Sequence, residues 1–179
     1  MRPFSHIDIA HTFWQKIVKP GDIVVDATAG NGHDSLFLAS LTPGKIIAFD
    51  IQQAALDATK ERLGNFPIYL YNICHSRMQE IVEPASATLI AFNLGYLPGG
   101  NKALTTMLDT TISALKASLS CLKPGGLLSI TCYPGHPEGQ IEEEAIMQWV
   151  KMLDYKKWSV TSHTFPNRQK HPHLILIQC

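Results

Sequence analysis

The chain has 179 residues, of which 45% are hydrophobic. This length supplies one well-buried core and is too short for two ordinary domains, so a single domain covering residues 1–179 is predicted. The 15 lysines and arginines balance the 15 acidic residues, which excludes a global electrostatic attraction to nucleic acid. Any RNA contact must therefore use a local basic patch.

The cysteines, the histidines and the apolar runs give predictions about metal binding and about location. The 4 cysteines form no C-x-x-C pair and no zinc spacing, so they are interpreted as reduced apolar residues. His6 and His11 fall on different faces of a helix, and no metal site is expected. The first residues lack the apolar core of a signal peptide, and no apolar run approaches a membrane span, which predicts a cytosolic location.

The first elements are a helix, a strand and a glycine turn. Residues 5–18 carry apolar side chains at helical spacing, and residues 23–25 predict a buried strand. Gly30-Asn31-Gly32 follows, before a helix predicted over residues 35–41. Glycines suit this turn because they tolerate positive φ and let a ligand approach the backbone. A ligand bound here would meet the free N–H groups of the helix.

Residues 45–50 predict a second strand that ends in an acid, Asp50. In a doubly wound sheet this carboxylate lies beside the first turn and can hydrogen-bond both hydroxyls of a ribose. NAD and S-adenosylmethionine (SAM) both carry such a ribose. The turn favours SAM, because Ser35 stands where a pyrophosphate fingerprint has its third glycine, and Asp34 would repel phosphate. Asp34 could instead attract the ammonium or sulfonium charge of SAM.

The remaining pattern alternates strands with helices. It predicts helices at residues 52–63, 77–82, 103–122 and 138–153, and strands at residues 68–73, 87–92, 127–133, 158–165 and 174–178. This order is typical of an α/β protein whose last two strands form an antiparallel hairpin. The predicted fold is the Rossmann-like fold of class I SAM methyltransferases, with a mostly parallel seven-stranded sheet and helices on both faces.

Two residues follow the third strand at the ligand-binding edge of the sheet. Cys74 and His75 stand where the loop of a SAM site usually flanks the adenine, so both are candidate cofactor contacts. A histidine simply exposed at the surface is the alternative. Ser76 is predicted to cap the short helix that follows.

The fourth strand ends in F-N-L-G-Y-L-P-G-G, in which Asn93 and Tyr96 have N-x-x-Y spacing. This spacing resembles the [DNS]-P-P-[YFW] motif of SAM-dependent amino-methyltransferases, although Leu94-Gly95 replaces the two prolines. In that motif the amide accepts a hydrogen bond from the substrate nitrogen, and the aromatic ring stacks on the substrate. Positioning is most of what a protein can offer an in-line methyl transfer. A plain strand-ending turn is the alternative.

Other polar residues of the second half have weaker signals. His136 lies in a Pro- and Gly-rich loop after the fifth strand, where it is a candidate general base or a residue that stiffens its own loop. The threonines at 105, 106, 110 and 111 are interpreted as a solvated helix face. The acids at 142–144 are assigned to the first turn of a helix, where they suit the dipole.

A basic cluster lies in the loop between the last two strands. It contains Arg168, Lys170, His171 and His173. Such a loop is usually only solvated, but this one could bind phosphate, with Arg168 and Lys170 as candidate tRNA contacts.

Four blocks occur together in this order: D-A-T-A-G-N-G-H-D, A-F-D-I-Q, F-N-L-G-Y-L-P-G-G and Y-P-G-H-P-E-G. With this set the sequence resembles the small bacterial proteins once grouped as rRNA methylases and now understood as the MnmM class of tRNA methyltransferases. The resemblance implies SAM-dependent methylation of the aminomethyl nitrogen of 5-aminomethyl-2-thiouridine at the tRNA wobble position, in a homodimer. It also implies SAM contacts at Asn31, Gly32, Asp50, Gln52, Cys74 and His75.

The expected site therefore has two parts. The cofactor residues are Gly30, Asn31, Gly32, Asp34, Asp50, Gln52, Cys74 and His75, and the catalytic residues are Asn93, Tyr96 and His136. Three rivals to a tRNA methyltransferase remain: a small-molecule or rRNA N-methyltransferase, an NAD-binding oxidoreductase, and a non-catalytic SAM- or RNA-binding module. Asp34 argues against the oxidoreductase, and the fourth-strand motif argues against a non-catalytic module.

Overall fold

The computed structural model describes residues 3–95, 106–168 and 171–179. Within these ranges the α-helices are α1 (His6–Ile17), α2 (His33–Ser40), α3 (Gln53–Leu63), α4 (Leu108–Cys121) and α5 (Pro137–Lys151). The strands are β1 (Ile23–Asp26), β2 (Lys45–Phe49), β3 (Tyr69–Tyr71), β4 (Ala87–Asn93), β5 (Leu122–Cys132), β6 (Ser159–His163) and β7 (His173–Gln178). A 3₁₀ helix covers His75–Glu80.

The strands form one seven-stranded sheet in the order β3-β2-β1-β4-β5-β7-β6. Strands β1 to β5 pair in parallel, and β7 runs antiparallel to both β5 and β6. The predicted sheet and its C-terminal hairpin are therefore confirmed. From β1 the chain continues to β2 and β3 on one side of β1, and it later forms β4 on the opposite side of β1. The strand order therefore reverses at β1. Open α/β sheets bind ligands at such a reversal.

The sheet is buried on both faces because successive residues of its central strands point to opposite sides. Val25 of β1 belongs to a core cluster with Leu115 of α4 and Ile146 of α5. The preceding residue, Val24, packs instead with Trp14 of α1 and with α2. The continuous apolar runs of β1, β2 and β4 follow from this two-sided burial.

The first two helices begin in different ways, α1 with a side-chain cap and α2 after a glycine. Ser5 caps α1 reciprocally with Asp8: the Asp8 N–H donates to Ser5 Oγ at 3.3 Å, and the Ser5 N–H donates to Asp8 Oδ2 at 2.8 Å. Helix α2 begins after Gly32, whose φ is +75°. A Cβ on Gly32 would lie 2.8 Å from Thr59 Cα of α3, so this glycine lets the two helices approach.

Three predicted elements differ from the structure. Cys74, not Ser76, precedes the short helix, which is 3₁₀ in character, and Ser76 Oγ donates to Cys74 Sγ at 3.2 Å. The described part of the predicted helix 103–122 begins at Leu108, and residues 103–105 lie outside the described ranges. Strand β5 begins at Leu122, because the Lys123–Gly126 turn is an irregularity inside its pairing with β4.

None of the helices in the described ranges is both long and apolar enough to cross a membrane.

Candidate active site

A cavity of about 840 Å³ opens at the carboxyl ends of β1, β2 and β4, where the strand order reverses. Of the predicted site residues that the structure describes, all except Gly32 line this cavity. Gly32 serves the packing of α2 against α3 instead. Tyr96 lies outside the described residues. Residues predicted from separate motifs are thus brought to one place by the sheet.

Asp50 joins the glycine turn to the start of α3. Its Oδ2 accepts from the Gly30 N–H at 3.0 Å, and its Oδ1 accepts from the Gln52 N–H at 2.8 Å. Gly30 has φ +51°, which confirms the need for glycine in the turn. A carboxylate offers about four lone-pair sites, so both oxygens retain capacity for further donors such as ribose hydroxyls.

His75 is buried at the wall of the cavity, with 8% of its surface exposed, so the interpretation as a surface histidine is wrong. Its ring meets Phe92 edge-on at 5.5 Å. Burial lowers the pKa of His75, although a hydrogen bond to the Ala27 backbone opposes the shift, and the ring is neutral at pH 7. Its Nε2 has no hydrogen-bond partner among the described residues. Cys74 lines the same cavity.

Asn93 ends β4 with its backbone and side chain both held. Its N–H donates to Thr28 Oγ1 at 2.7 Å, and its side-chain Nδ2 donates to Asp34 Oδ2 at 3.2 Å. Its Oδ1 is buried and has no partner among the described residues. An uncharged acceptor is therefore available at the edge of the cavity, which is what an N–H of a substrate requires.

The segment after Asn93 is pinned although it lacks the two prolines of the related motif. The Leu94 N–H donates to Thr131 O at 2.9 Å. Gly95, with φ +122°, exchanges two hydrogen bonds with Thr106: its N–H donates to Thr106 Oγ1, and its carbonyl accepts from the Thr106 N–H, both at 3.0 Å. These bonds hold Gly95 beside Thr106.

The interpretation of the threonines and acids as solvated groups is wrong for part of the set. Glu142 is 4% exposed and accepts from Thr106 Oγ1 at 2.9 Å and from Thr111 Oγ1 at 2.6 Å. Burial raises the pKa of Glu142. Helix α5 begins at Pro137, so this acid lies beyond the first turn. Its neighbour Glu143 accepts from His173 at 2.6 Å. Glu142 thus holds Thr106 and the first turn of α4, which contains Thr111.

A polar cluster that the sequence analysis missed surrounds Asn93. Tyr133 OH lies 3.0 Å from His6 Nε2, and Tyr133 lines the same cavity as Asn93. His11 Nε2 lies 3.0 Å from Asp34 Oδ1. Burial lowers the pKa of His6 to about 4 and raises that of Tyr133 to about 12, so both are neutral at pH 7.

The sequence indicated only part of this polar cluster. Tyr133 ends the predicted fifth strand at the ligand-binding edge, so its position was available from the sequence. Nothing in the sequence showed that the two histidines of α1 face this edge. In the part of the chain that the structure describes, no group of three or more His, Cys, Asp or Glu is placed to hold a metal ion.

His136 lines the cavity and is the N-cap of α5. Its Nδ1 accepts from the Gly139 N–H at 3.1 Å. Glu138 Oε2 also lies 3.2 Å from this nitrogen, but a nitrogen that accepts has no hydrogen to donate to a carboxylate, so the cap is the better assignment. The interpretation of His136 as a residue that stiffens its own loop therefore has a structural basis.

The basic cluster before β7 is partly engaged within the protein. Arg168 donates from Nη2 to Phe4 O at 3.2 Å, and its guanidinium lies 4.4 Å from the centre of the Phe165 ring. Its Nη1 is 3.1 Å from His171 Nε2. Lys170 lies outside the described residues. A phosphate would therefore meet Arg168 in a position that is already fixed.

Comparison with known proteins bears on the identity of this site. The family model described as "Putative rRNA methylase" matches residues 46–178, which is more than half of the chain. The chain belongs to this family. A relative of this methylase in Arabidopsis thaliana is named tRNA (mnm(5)s(2)U34)-methyltransferase, chloroplastic. The two are 40% identical over 185 residues, which cover 95% of this chain and 68% of the relative.

Two solved structures are similar to the methylase over its whole length. One, described as a "putative rRNA-methylase" from Clostridium thermocellum, is 33% identical with a TM-score of 0.94. The other, SMU.1697c from Streptococcus mutans, is described as a "putative methyltransferase" in complex with SAH, and is 34% identical with a TM-score of 0.90. In both cases the match covers 99% of each chain. These structures support the class I methyltransferase fold.

The methylase also buries an acid beneath the glycine turn. Asp26 is 1% exposed, accepts from Ser35 Oγ at 2.6 Å, and accepts from the Thr28 N–H at 3.2 Å. Burial, reinforced by the negative charge of Asp34, raises the pKa of Asp26 to about 7. The ordinary pKa of an aspartate is 3.8. Between this pH and about 7, Asp26 is therefore protonated in the folded state and ionised in the unfolded chain. The Asp26 contribution to stability falls as pH rises through this range.

We expect Asp26→Asn to abolish this contribution, since an amide can accept from Thr28 and donate to Ser35 without ionising. The free energy of unfolding of the variant minus that of the wild type should be near zero at pH 4 and grow to a constant positive value above pH 7. Urea unfolding at several pH values measures this difference, in which His6 cancels because both proteins contain it. A difference that is equally large at pH 4 and pH 8 would contradict the shifted pKa. Asp57→Asn, at an exposed acid of α3, is the matched control.

Proposed function

We propose that this methylase transfers the methyl group of SAM to the aminomethyl nitrogen of 5-aminomethyl-2-thiouridine at the wobble position of tRNA. The product is 5-methylaminomethyl-2-thiouridine. The observation that carries the proposal is the Asn93 side chain, whose Oδ1 is an uncharged acceptor beside the cavity and has no partner in the part of the chain that the structure describes. Such an acceptor suits an amine better than it suits a hydroxyl or carbon nucleophile, because it can hold an N–H while the nitrogen lone pair remains available.

The cavity residues fit SAM as the cofactor. Asp50, at the end of β2, would accept from the ribose hydroxyls with the lone pairs that Gly30 and Gln52 leave unused. The Nε2 atom of His75 in the wall of the cavity has no partner within the described ranges, and it suits a donor such as the adenine amino group. Gly30, Asn31, Gln52 and Cys74 complete the proposed cofactor set, and the turn from β1 leads to the N-terminus of α2. SAM, when bound, supplies the methyl group as an electrophile.

Positioning of the amine is the proposed task of the residues after β4. An aminomethyl group is largely protonated at neutral pH, so it must lose a proton before its lone pair can attack. Asn93 Oδ1 would accept one remaining N–H and so orient the nitrogen. Tyr96 would stack on the uracil ring. His136 and bulk water are the two candidates for taking the proton. Because His136 Nδ1 accepts from the Gly139 N–H, the neutral ring carries its hydrogen on Nε2, so His136 could take a proton only by giving up this cap, and bulk water is the proposed acceptor.

The choice of tRNA rests on the relative that is 40% identical over 95% of this chain and is named a tRNA (mnm(5)s(2)U34)-methyltransferase. Arg168, fixed by Phe4 and Phe165, and Lys170 are the proposed phosphate contacts. We also propose a homodimer and a cytosolic location. The neutral net charge makes local contacts, rather than a global field, the expected means of tRNA binding.

Mass spectrometry of nucleosides tests the proposal directly. tRNA that carries 5-aminomethyl-2-thiouridine is incubated with the protein and SAM, then digested. A gain of one methyl on that nucleoside is expected, and tRNA that lacks the aminomethyl group should gain none. If SAM binds but no methyl appears, the tRNA substrate is wrong.

An rRNA substrate is a second candidate because a relative named Ribosomal RNA small subunit methyltransferase H, from Synechococcus, is 31% identical over 100 residues. That match covers 53% of this chain and 34% of the relative, so it carries less weight. The same assay with ribosomal subunits separates the two candidates. A small-molecule amine substrate would be methylated equally well after loss of the Arg168 charge, whereas tRNA would not.

A further inference from the structure

The Asp34 carboxylate is contacted at both oxygens. His11 Nε2 lies 3.0 Å from Oδ1, and Asn93 Nδ2 lies 3.2 Å from Oδ2. An ionised carboxylate can only accept hydrogen bonds. The group of Asn93 that faces it must therefore be the NH₂, which fixes the otherwise ambiguous orientation of the amide. The Asn93 oxygen then points away from Asp34, and it is this oxygen that has no partner among the described residues.

We propose that Asp34, held by His11, is a positioning residue that fixes the Asn93 amide with its oxygen toward the substrate nitrogen. This inference rests on the proposed function and gives Asp34 a different role from the one expected from the sequence, attraction of the charge of SAM. The reason is chemical. A flipped amide would present its NH₂ to the amine and donate a hydrogen to the lone pair that must attack the methyl group. Asp34 excludes that orientation, because it would bring two acceptor oxygens together.

The support behind Asp34 is rigid. The His11 ring stacks on Phe37 with 3.6 Å between the ring centres and an angle of 9°, and it also packs against Trp14 at 4.9 Å. The side chains of His11 and Asp34 are only 21% and 15% exposed. Little water therefore competes for the carboxylate. Tyr133, whose hydroxyl lies 3.0 Å from His6 Nε2, lines the same cavity as Asn93 from another element.

Activity measurements on a double-mutant cycle separate positioning from general structural support. We expect Asp34→Ala to lower kcat by about tenfold, with the Kd for SAM changed less than about twofold, since one charge-assisted hydrogen bond is lost. In an Asn93→Ala background the same change should have almost no further effect. Asp34→Asn should recover part of the activity, because its oxygen can still accept from Asn93. Asp57→Ala, at an exposed acid, is the control and should retain full activity.

The side-chain NH₂ signal of Asn93 in a ¹⁵N–¹H spectrum provides a readout without catalysis. It is identified by its absence in Asn93→Ala. We expect Asp34→Ala to shift this signal and to speed its exchange with water, while Asp57→Ala leaves it unchanged. A signal that does not move overturns the inference, as does a tenfold loss of SAM affinity with kcat retained or a loss of kcat that is equal in both backgrounds. Absence of tRNA methylation by the wild type would overturn the proposed function instead, and the spectrum would still decide the role of Asp34.

Discussion

Replacing Asn93 with alanine should lower kcat about 100-fold or more while the Kd for SAM changes by less than about threefold. The Asn93 oxygen has no partner among the described residues, so removal of the side chain breaks no hydrogen bond to that oxygen within the described part of the protein. Its backbone N–H stays bonded to Thr28, which should preserve the end of β4. The substitution also removes the bond from Asn93 Nδ2 to Asp34, but the expected loss of kcat comes from the amine that is no longer oriented. Single-turnover methylation of tRNA, together with calorimetric titration of SAM, measures the two quantities separately.

Asn65→Ala is the matched control, because Asn65 is an exposed asparagine in the loop after α3. It should retain full activity and full SAM affinity. Asn93→Asp is the sharper variant. A second carboxylate beside Asp34 would repel it, and a charged acceptor would stabilise the ammonium form of the substrate rather than its free amine. Equal losses of kcat and of SAM affinity in Asn93→Ala would remove Asn93 from the catalytic role.

The sheet could be predicted because its signals are local. Strands β1 and β2 are continuous apolar runs that end in acids, and the turn after β1 requires positive φ at Gly30 and Gly32. Because parallel strands present their carboxyl ends at one edge, knowledge of the strand ends was enough to place Asp50, His75 and Asn93 around one cavity. Helix boundaries were less exact. Helix α2 begins after Gly32 through its left-handed backbone, and α5 begins after His136, whose side chain accepts from the Gly139 N–H.

The polar cluster around Asn93 could not be predicted because its members are far apart in sequence. His6 and Tyr133 are separated by 127 positions. The same difficulty applies outside the cluster to Thr111 and Glu142, which are separated by 31 positions. These contacts depend on which face of α1 or α5 lies against the sheet. A polar residue in an amphipathic helix does not by itself indicate whether it lies on that face. Glu142 shows the difficulty: in a run of three acids, burial of the first follows from its threonine partners rather than from its own chemistry.

Replacing Asp50 with alanine should raise the Kd for SAM about 100-fold. Hydrogen bonds to a charged group contribute roughly 1.5–3 kcal/mol each, and loss of two ribose contacts offset by partial rehydration gives about 3 kcal/mol. The carboxylate also accepts from Gly30 and Gln52, so its removal loosens the glycine turn as well. Calorimetric titration of the wild type, Asp50→Ala and the exposed control Asp57→Ala measures the total effect.

A ligand-side comparison separates the two parts of this loss. SAH and its 2′-deoxy analogue are titrated into the wild type and into Asp50→Ala. If Asp50 binds the ribose, removal of the 2′-hydroxyl should weaken binding to the wild type about tenfold and binding to the variant hardly at all, since the hydroxyl no longer has its partner. If Asp50 only holds the turn, the analogue should lose the same affinity for both proteins. That second result would mean that the Asp50 carboxylate binds only the N–H groups of Gly30 and Gln52, and that other residues of the cavity bind the ribose.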